Sequence, residues 1–173
     1  MRYFIFLCFL LLNNCSHTTH SPYIPARYVV IAQTIRNELS EDLSDQYNMR
    51  VIGTVGGLAE YVNLLGLKFQ IKGPLTQAQL RIILLGCVNA FLTALNNNEE
   101  IRPYLKTYPF TAEGINIGIF VMDSQGKGVS DPNIGIAQAF CGTLDYITID
   151  RKNGHQNTVS ETYEEAMQIV GYR

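Results

Sequence analysis

Leu64-Leu65-Gly66-Leu67-Lys68-Phe69-Gln70-Ile71-Lys72-Gly73-Pro74-Leu75-Thr76, running on into Gln77-Ala78-Gln79-Leu80-Arg81-Ile82-Ile83-Leu84-Leu85-Gly86-Cys87-Val88-Asn89-Ala90-Phe91, decides the fold class. Within this stretch the apolar period changes from two to nearly four. Leu65, Leu67, Phe69 and Ile71 alternate with Gly66, Lys68, Gln70 and Lys72. That pattern predicts a strand with one face in a core and the other wet. Gly73-Pro74 stops the strand, and the Thr76 hydroxyl suits the N-cap of a helix running to about Leu95. Leu80, Leu84, Cys87, Val88, Phe91 and Leu95 form one stripe of that helix. Ile82, Ile83, Leu85 and Leu92 widen the stripe nearly all round, which predicts a central, largely buried helix.

On the N-terminal side, Tyr28, Ile31, Ile35, Leu39 and Leu43 recur at three- and four-residue steps and predict a helix from Pro25 to Tyr47. Met49 to Leu58 reads as a strand, weakened at Gly56-Gly57. On the C-terminal side, Ile115, Ile117, Ile119 and Val121 give a third strand. The stretch from Ile134 to Asp150 reads as one long fourth strand bent at Gly142. Arg151 to Gln156 reads as a turn and Thr158-Val159-Ser160-Glu161 as a capping box. Tyr163, Ala166, Met167 and Val170 then predict a short last helix, closed by Gly171. The expected fold is α+β in the order α-ββ-α-ββ-α: a four-stranded antiparallel sheet with helices packed on one face.

The first residues carry a different message. Arg2 precedes an apolar run from Tyr3 to Leu12, the n- and h-regions of an export signal. The run is half of the roughly 20 residues that a membrane-spanning helix needs. No A-x-A cleavage pattern follows it. The sequence reads instead Leu12-Asn13-Asn14-Cys15, which resembles the lipobox of bacterial lipoproteins. Asn13 and Asn14 stand where that motif usually has small residues. The resemblance implies that Cys15 receives lipid and becomes the mature N-terminus, and that Ser16 directs the protein to the outer membrane, with its domain in the periplasm or at the surface. Plain secretion and an uncleaved anchor are the alternatives. The expected organisation is a signal peptide over 1–14, a lipid-anchored tether over 15–25 and a single α+β domain over 26–173.

Composition narrows the partners. The chain has 173 residues, a net charge of −2 and no Trp. Nucleic-acid binding, which needs clustered Lys and Arg, is not expected. Of the four cysteines, only Cys87 and Cys141 fall in the domain. An oxidising envelope permits a bridge between them, but the expected state is two packed, free thiols.

No G-x-S-x-G, H-E-x-x-H or P-loop pattern occurs. Gly53-Thr54-Val55-Gly56-Gly57 lacks the Lys of a phosphate loop and reads as a twisted strand. Cys141, Asp145 and His155 are the strongest nucleophilic candidates, since a Cys needs a nearby imidazole to form its thiolate. Nothing in the sequence brings His155 back over Cys141. A packed cysteine and a surface-turn histidine are therefore the expected reading. The acidic pairs Glu99-Glu100 and Glu164-Glu165 read as solvated helix surface. His17 and His20 read as part of the tether, and Asp123 to Gly128 as a turn lacking the extra carboxylates of a calcium loop. No catalytic, cofactor-binding or metal-binding set is expected. Lipidation at Cys15 is the one assigned site, and the membrane, reached through that lipid, is the first expected partner.

Three roles follow: a non-enzymatic envelope lipoprotein that binds a partner protein or supports an assembly; a small-ligand or lipid-binding module; and an enzyme whose site no motif encodes. A flat apolar patch would favour the first. A large dry cavity would favour the second, and Cys141 within hydrogen-bond reach of His155 the third.

Overall fold

The computed structural model describes residues 24–171. The expected signal peptide over 1–14, the expected lipidation site Cys15, and His17 and His20 lie outside the described residues.

The elements are α1 (Arg27–Tyr47), β1 (Arg50–Gly57), β2 (Leu64–Lys72), α2 (Gln77–Asn97), β3 (Ile115–Met122), β4 (Ile134–Phe140), β5 (Thr143–Ile149), β6 (Gln156–Thr162) and α3 (Tyr163–Val170). The α+β class, the two long helices and the first three strands match the sequence reading. The sheet does not. It has six strands in the order β1-β2-β3-β4-β5-β6, and it is mixed: β2 and β3 run parallel while every other pair is antiparallel. The expectation of four antiparallel strands is corrected on both counts.

The parallel pair follows from α2. Parallel neighbours need a long crossover connection, and α2 is that connection. The two added strands come from the C-terminal half. The expected single strand over 134–150 folds back on itself at Cys141-Gly142, where both residues have positive φ (50° and 76°). Two consecutive left-handed residues are the requirement of a tight type I′ hairpin, so the chain makes β4 and β5 instead of one bent strand. The segment expected to cap the last helix is β6. The capping box lies one step further on: the Thr162 hydroxyl accepts from the Glu165 N–H at 3.1 Å, and the Glu165 carboxylate accepts from the Thr162 N–H at 2.7 Å.

The three helices share one face of the sheet. α1 lies over β1 and β2; α2 lies over β3, β4 and β5; α3 covers β5 and β6. Leu65, Leu67, Phe69 and Ile71 from β2, Ile115, Ile117, Ile119 and Val121 from β3, and Ala137, Ala139, Leu144 and Tyr146 from β4 and β5 supply the sheet side of a single core. Leu80, Leu84, Leu85, Cys87, Val88, Phe91 and Leu95 supply the α2 side. Small alanines on β4 let α2 sit close to the sheet. By length and composition α2 would span a bilayer; here that apolarity fills the middle of the helix layer.

Side-chain bonds fix α2 at both ends. Thr76 and Gln79 form a reciprocal capping box at its start. At its end, the Asn96 amide grips the backbone of Phe110, donating to its carbonyl at 3.0 Å and accepting from its N–H at 2.7 Å. That clamp folds the 98–114 connection against the core, where Ile101, Leu105 and Phe110 are buried.

The parallel pair is locally tight. Gly66 faces Asn116 across it. A Cβ added at Gly66 would lie 1.8 Å from the Asn116 carbonyl oxygen. The obstacle is backbone, which cannot swing away, so Gly66→Ala must push β2 and β3 apart. Overpacking of this kind costs about 1–3 kcal/mol. A lowered urea midpoint with unchanged slope is the expected result; an unchanged midpoint would mean the strands separate freely.

Candidate functional site

Because the three helices of the described residues lie on one side, the other face of the sheet has no helix over it among the described residues. Strand alternation puts a defined set of side chains there. The pairings Lys68↔Gly118, Gly118↔Gln138, Gln138↔Asp145 and Asp145↔Ser160 run in one line across five strands. The neighbouring line is Gln70↔Phe120, Phe120↔Ile136, Ile136↔Ile147 and Ile147↔Thr158. A polar row therefore lies beside an apolar one. Phe120, Ile136 and Ile147 are half-buried, yet none belongs to the core or packs against it. They form a second apolar layer, flat and one side chain thick, while Phe140 is exposed on the far side of the polar row, paired with Asn116 and Thr143.

The polar row is internally bonded. Asp145 accepts from Gln138 Nε2 at 3.0 Å on one oxygen and from Ser160 Oγ at 2.7 Å on the other. Both oxygens are occupied, as a carboxylate in a half-buried setting requires. Lys68 crosses from β2 over β3 and donates from Nζ to Asn116 Oδ1. Gly118 makes that route possible, since a Cβ there would lie 2.6 Å from Lys68 Cδ. The sequence marks Lys68 as a wet position; the structure shows it half-buried, and this burial lowers its pKa below the ordinary lysine value. An ammonium has three donors, and the hydrogen bond to Asn116 uses one of them.

The candidate catalytic residues do not meet. Cys141 sits in the β4–β5 turn and His155 at the start of β6, in the β5–β6 turn, at opposite ends of the seven-residue β5. At about 3.3 Å per residue the strand separates them by roughly 20 Å. Asp145, on the open face between them, is engaged with Gln138 and Ser160. Cys141 is exposed, which corrects its reading as a packed residue, and it is not joined to Cys87. Cys87 is buried in α2, and that burial pushes its thiol up to about 12, leaving it protonated and inert. Among the described residues no three His, Cys, Asp or Glu side chains gather as metal ligands. The 123–128 loop is a turn, with Asp123 Oδ1 accepting from the N–H groups of Gln125 and Lys127.

A cleft of about 560 Å³ opens at the carboxyl ends of β2 and β3, between Arg50, Gln70, Lys72, Asp123 and Gln125. It is open to solvent and its wall is mixed, with Met49, Ile71 and Met122 beside the polar groups, unlike the enclosed dry cavity a lipid-binding module would need. The uncovered face was hidden in the sequence. Its apolar members come from β3, β4 and β5, and their alignment depends on registers that a single sequence does not encode. No family model, curated protein or solved structure matches this chain.

Proposed function

We propose that this chain is a lipid-anchored protein of the bacterial cell envelope, held at the outer membrane through Cys15, that binds a partner protein through the uncovered face of its sheet and carries out no chemistry. The observation that carries this reading is the Phe120–Ile136–Ile147 row: half-buried apolar side chains from three adjacent strands, outside the core and, among the described residues, without a helix over them. A flat apolar surface rimmed by hydrogen-bonding groups is the make-up of a protein interface. Lys68, partly desolvated and with donors to spare, fits a carboxylate on the partner.

Two measurements test the two halves. Cys15→Ala should abolish labelling by a palmitate analogue and release the protein into the soluble fraction. A wild-type chain that carries no lipid and keeps residues upstream of Cys15 would refute the anchor. A photo-crosslinking residue at Ile136 or Ile147 should give an adduct of defined mass in cells. The same residue at Glu38, exposed on α1, should give none. Equal labelling at all three positions would refute the face as a binding surface.

A further inference from the structure

We propose that β6 pairs antiparallel with the β6 of a second copy of this chain, joining two sheets into one across a two-fold axis at Val159.

β6 is an outer strand of the sheet. Its backbone polarity can be read from the bonds at its two ends. The Asp150 N–H donates to the His155 carbonyl, and the Tyr163 N–H donates to the Gly142 carbonyl. Alternation between these points turns the backbone groups of Asn157, Val159 and Glu161 inward to β5. Those of Thr158 and Ser160 point outward, away from the sheet. These two residues flank Val159 symmetrically. In a two-fold antiparallel pairing, Thr158 faces Ser160 of the copy and exchanges both backbone hydrogen bonds with it, and the reverse pair does the same. Val159 then meets Val159 of the copy in the closely spaced, non-hydrogen-bonded position. The backbone accepts a two-fold axis at more than one β6 residue; Val159, the exposed apolar side chain of the strand, selects the register centred on it.

The side chains agree. Val159 is 49% exposed on its own chain, and this pairing covers it. Glu161 is the strand's only charge, and it is bonded inward to Arg81 and Tyr146, so two copies bring no free like charges together. Proteins normally guard a sheet edge with Lys, Pro or a bulge. The opposite edge follows that rule: β1 starts with Arg50 and has a register shift between Val51 and Gly53. β6 contains no Lys and no Pro, and its register with β5 is unbroken over all seven residues.

The test is cross-linking of the full chain in cells that produce it, in a Cys141→Ser background that removes the exposed thiol. Val159→Cys should add a disulfide-linked dimer of twice the chain mass, because the two residues face each other at a separation a disulfide spans. Thr158→Cys should add none, since Thr158 faces Ser160 rather than itself. Thr158→Pro, combined with Val159→Cys, deletes an outward N–H and leaves the β5 ladder intact; the dimer band should fall at least tenfold. Absence of the Val159→Cys dimer would overturn the proposal. So would equal cross-linking at 158, which marks random collision, persistence of the band with Thr158→Pro, or an adduct of another mass, which marks a strand from a different protein.

Discussion

Phe91→Ala should leave the domain barely stable. Phe91 is fully buried on α2, in the middle of the helix layer. Removing a buried aromatic costs about 3–5 kcal/mol, from lost burial and from the cavity left behind. A domain of this size holds about 5–15 kcal/mol in all. Collapse around the gap is limited, because α2 is the hub: it contacts α1 on one side, α3 on the other, and β3, β4 and β5 beneath. Urea unfolding should show a free energy of unfolding lowered by that amount, read as a lower midpoint at unchanged slope, and the protein should accumulate poorly in cells. A variant that folds with a near-normal midpoint would mean that this helix face is not the core.

The sequence locates α2 well because its signal is redundant. A capping Thr76, a stopping Gly73-Pro74 and a long apolar stripe all agree. The strands β2 and β3 are equally clear, since each has a core face of four large aliphatic or aromatic side chains. The C-terminal half is less legible for two physical reasons. The β4–β5 turn has Cys, not Asn or Asp, at its first left-handed position, so the usual hairpin signal is missing and the segment reads as continuous. β6 lies at the edge with nearly every side chain exposed, so it has no apolar alternation to betray it. Two consecutive S/T-x-x-E patterns, Thr158 to Glu161 and Thr162 to Glu165, then compete for the role of helix start. Only the second leads directly into the Tyr163, Ala166, Met167, Val170 stripe.

The same contrast governs the candidate site. Each residue of the open face looks ordinary where it stands: Lys68 as the wet side of a strand, Phe120 as the off-face of a core strand, Ile136 and Ile147 as members of one long strand. Their meaning arises when the parallel β2–β3 pair and the β4–β5 hairpin bring them into adjacent rows. Placing the three described helices on one side then leaves those rows without a helix over them among the described residues. The expectation of helices on a single face, read from the sequence, is what makes an uncovered face unavoidable; the added strands make it large.

Glu161→Ala should be nearly as damaging as the loss of Phe91, although Glu161 lies on the exposed edge strand. Its carboxylate takes a bidentate pair of bonds from Arg81, at 2.7 and 2.8 Å, and a third from the Tyr146 hydroxyl at 2.5 Å. The Arg81 and Glu161 side chains are only 12% and 10% exposed. Burial alone would raise the Glu161 pKa, but the bonds from Arg81 and Tyr146 outweigh it and hold the carboxyl below its ordinary value. Burial, with the Glu161 charge, raises Tyr146 in turn, so its hydroxyl stays a donor. Removing Glu161 strands a half-buried guanidinium and a buried hydroxyl together. Breaking one partner of a buried pair costs about 3–5 kcal/mol. The double change Arg81→Met with Glu161→Leu should recover most of the loss, because an apolar pair of similar volume needs no compensation. The pH dependence has a fixed sign. A carboxyl whose folded pKa is depressed contributes its full stability above its unfolded value, about 4.3, and loses it as pH falls through the folded pKa. The gap in unfolding free energy between wild type and Glu161→Ala should therefore be constant from neutral pH down to about that value and shrink below it. A gap under about 1 kcal/mol, or one that does not change in acid, would show that the pair is solvated. In that case β6 is held by its ladder with β5, by the Ser160–Asp145 bond and by α3, and the tie from the edge strand to α2 contributes nothing.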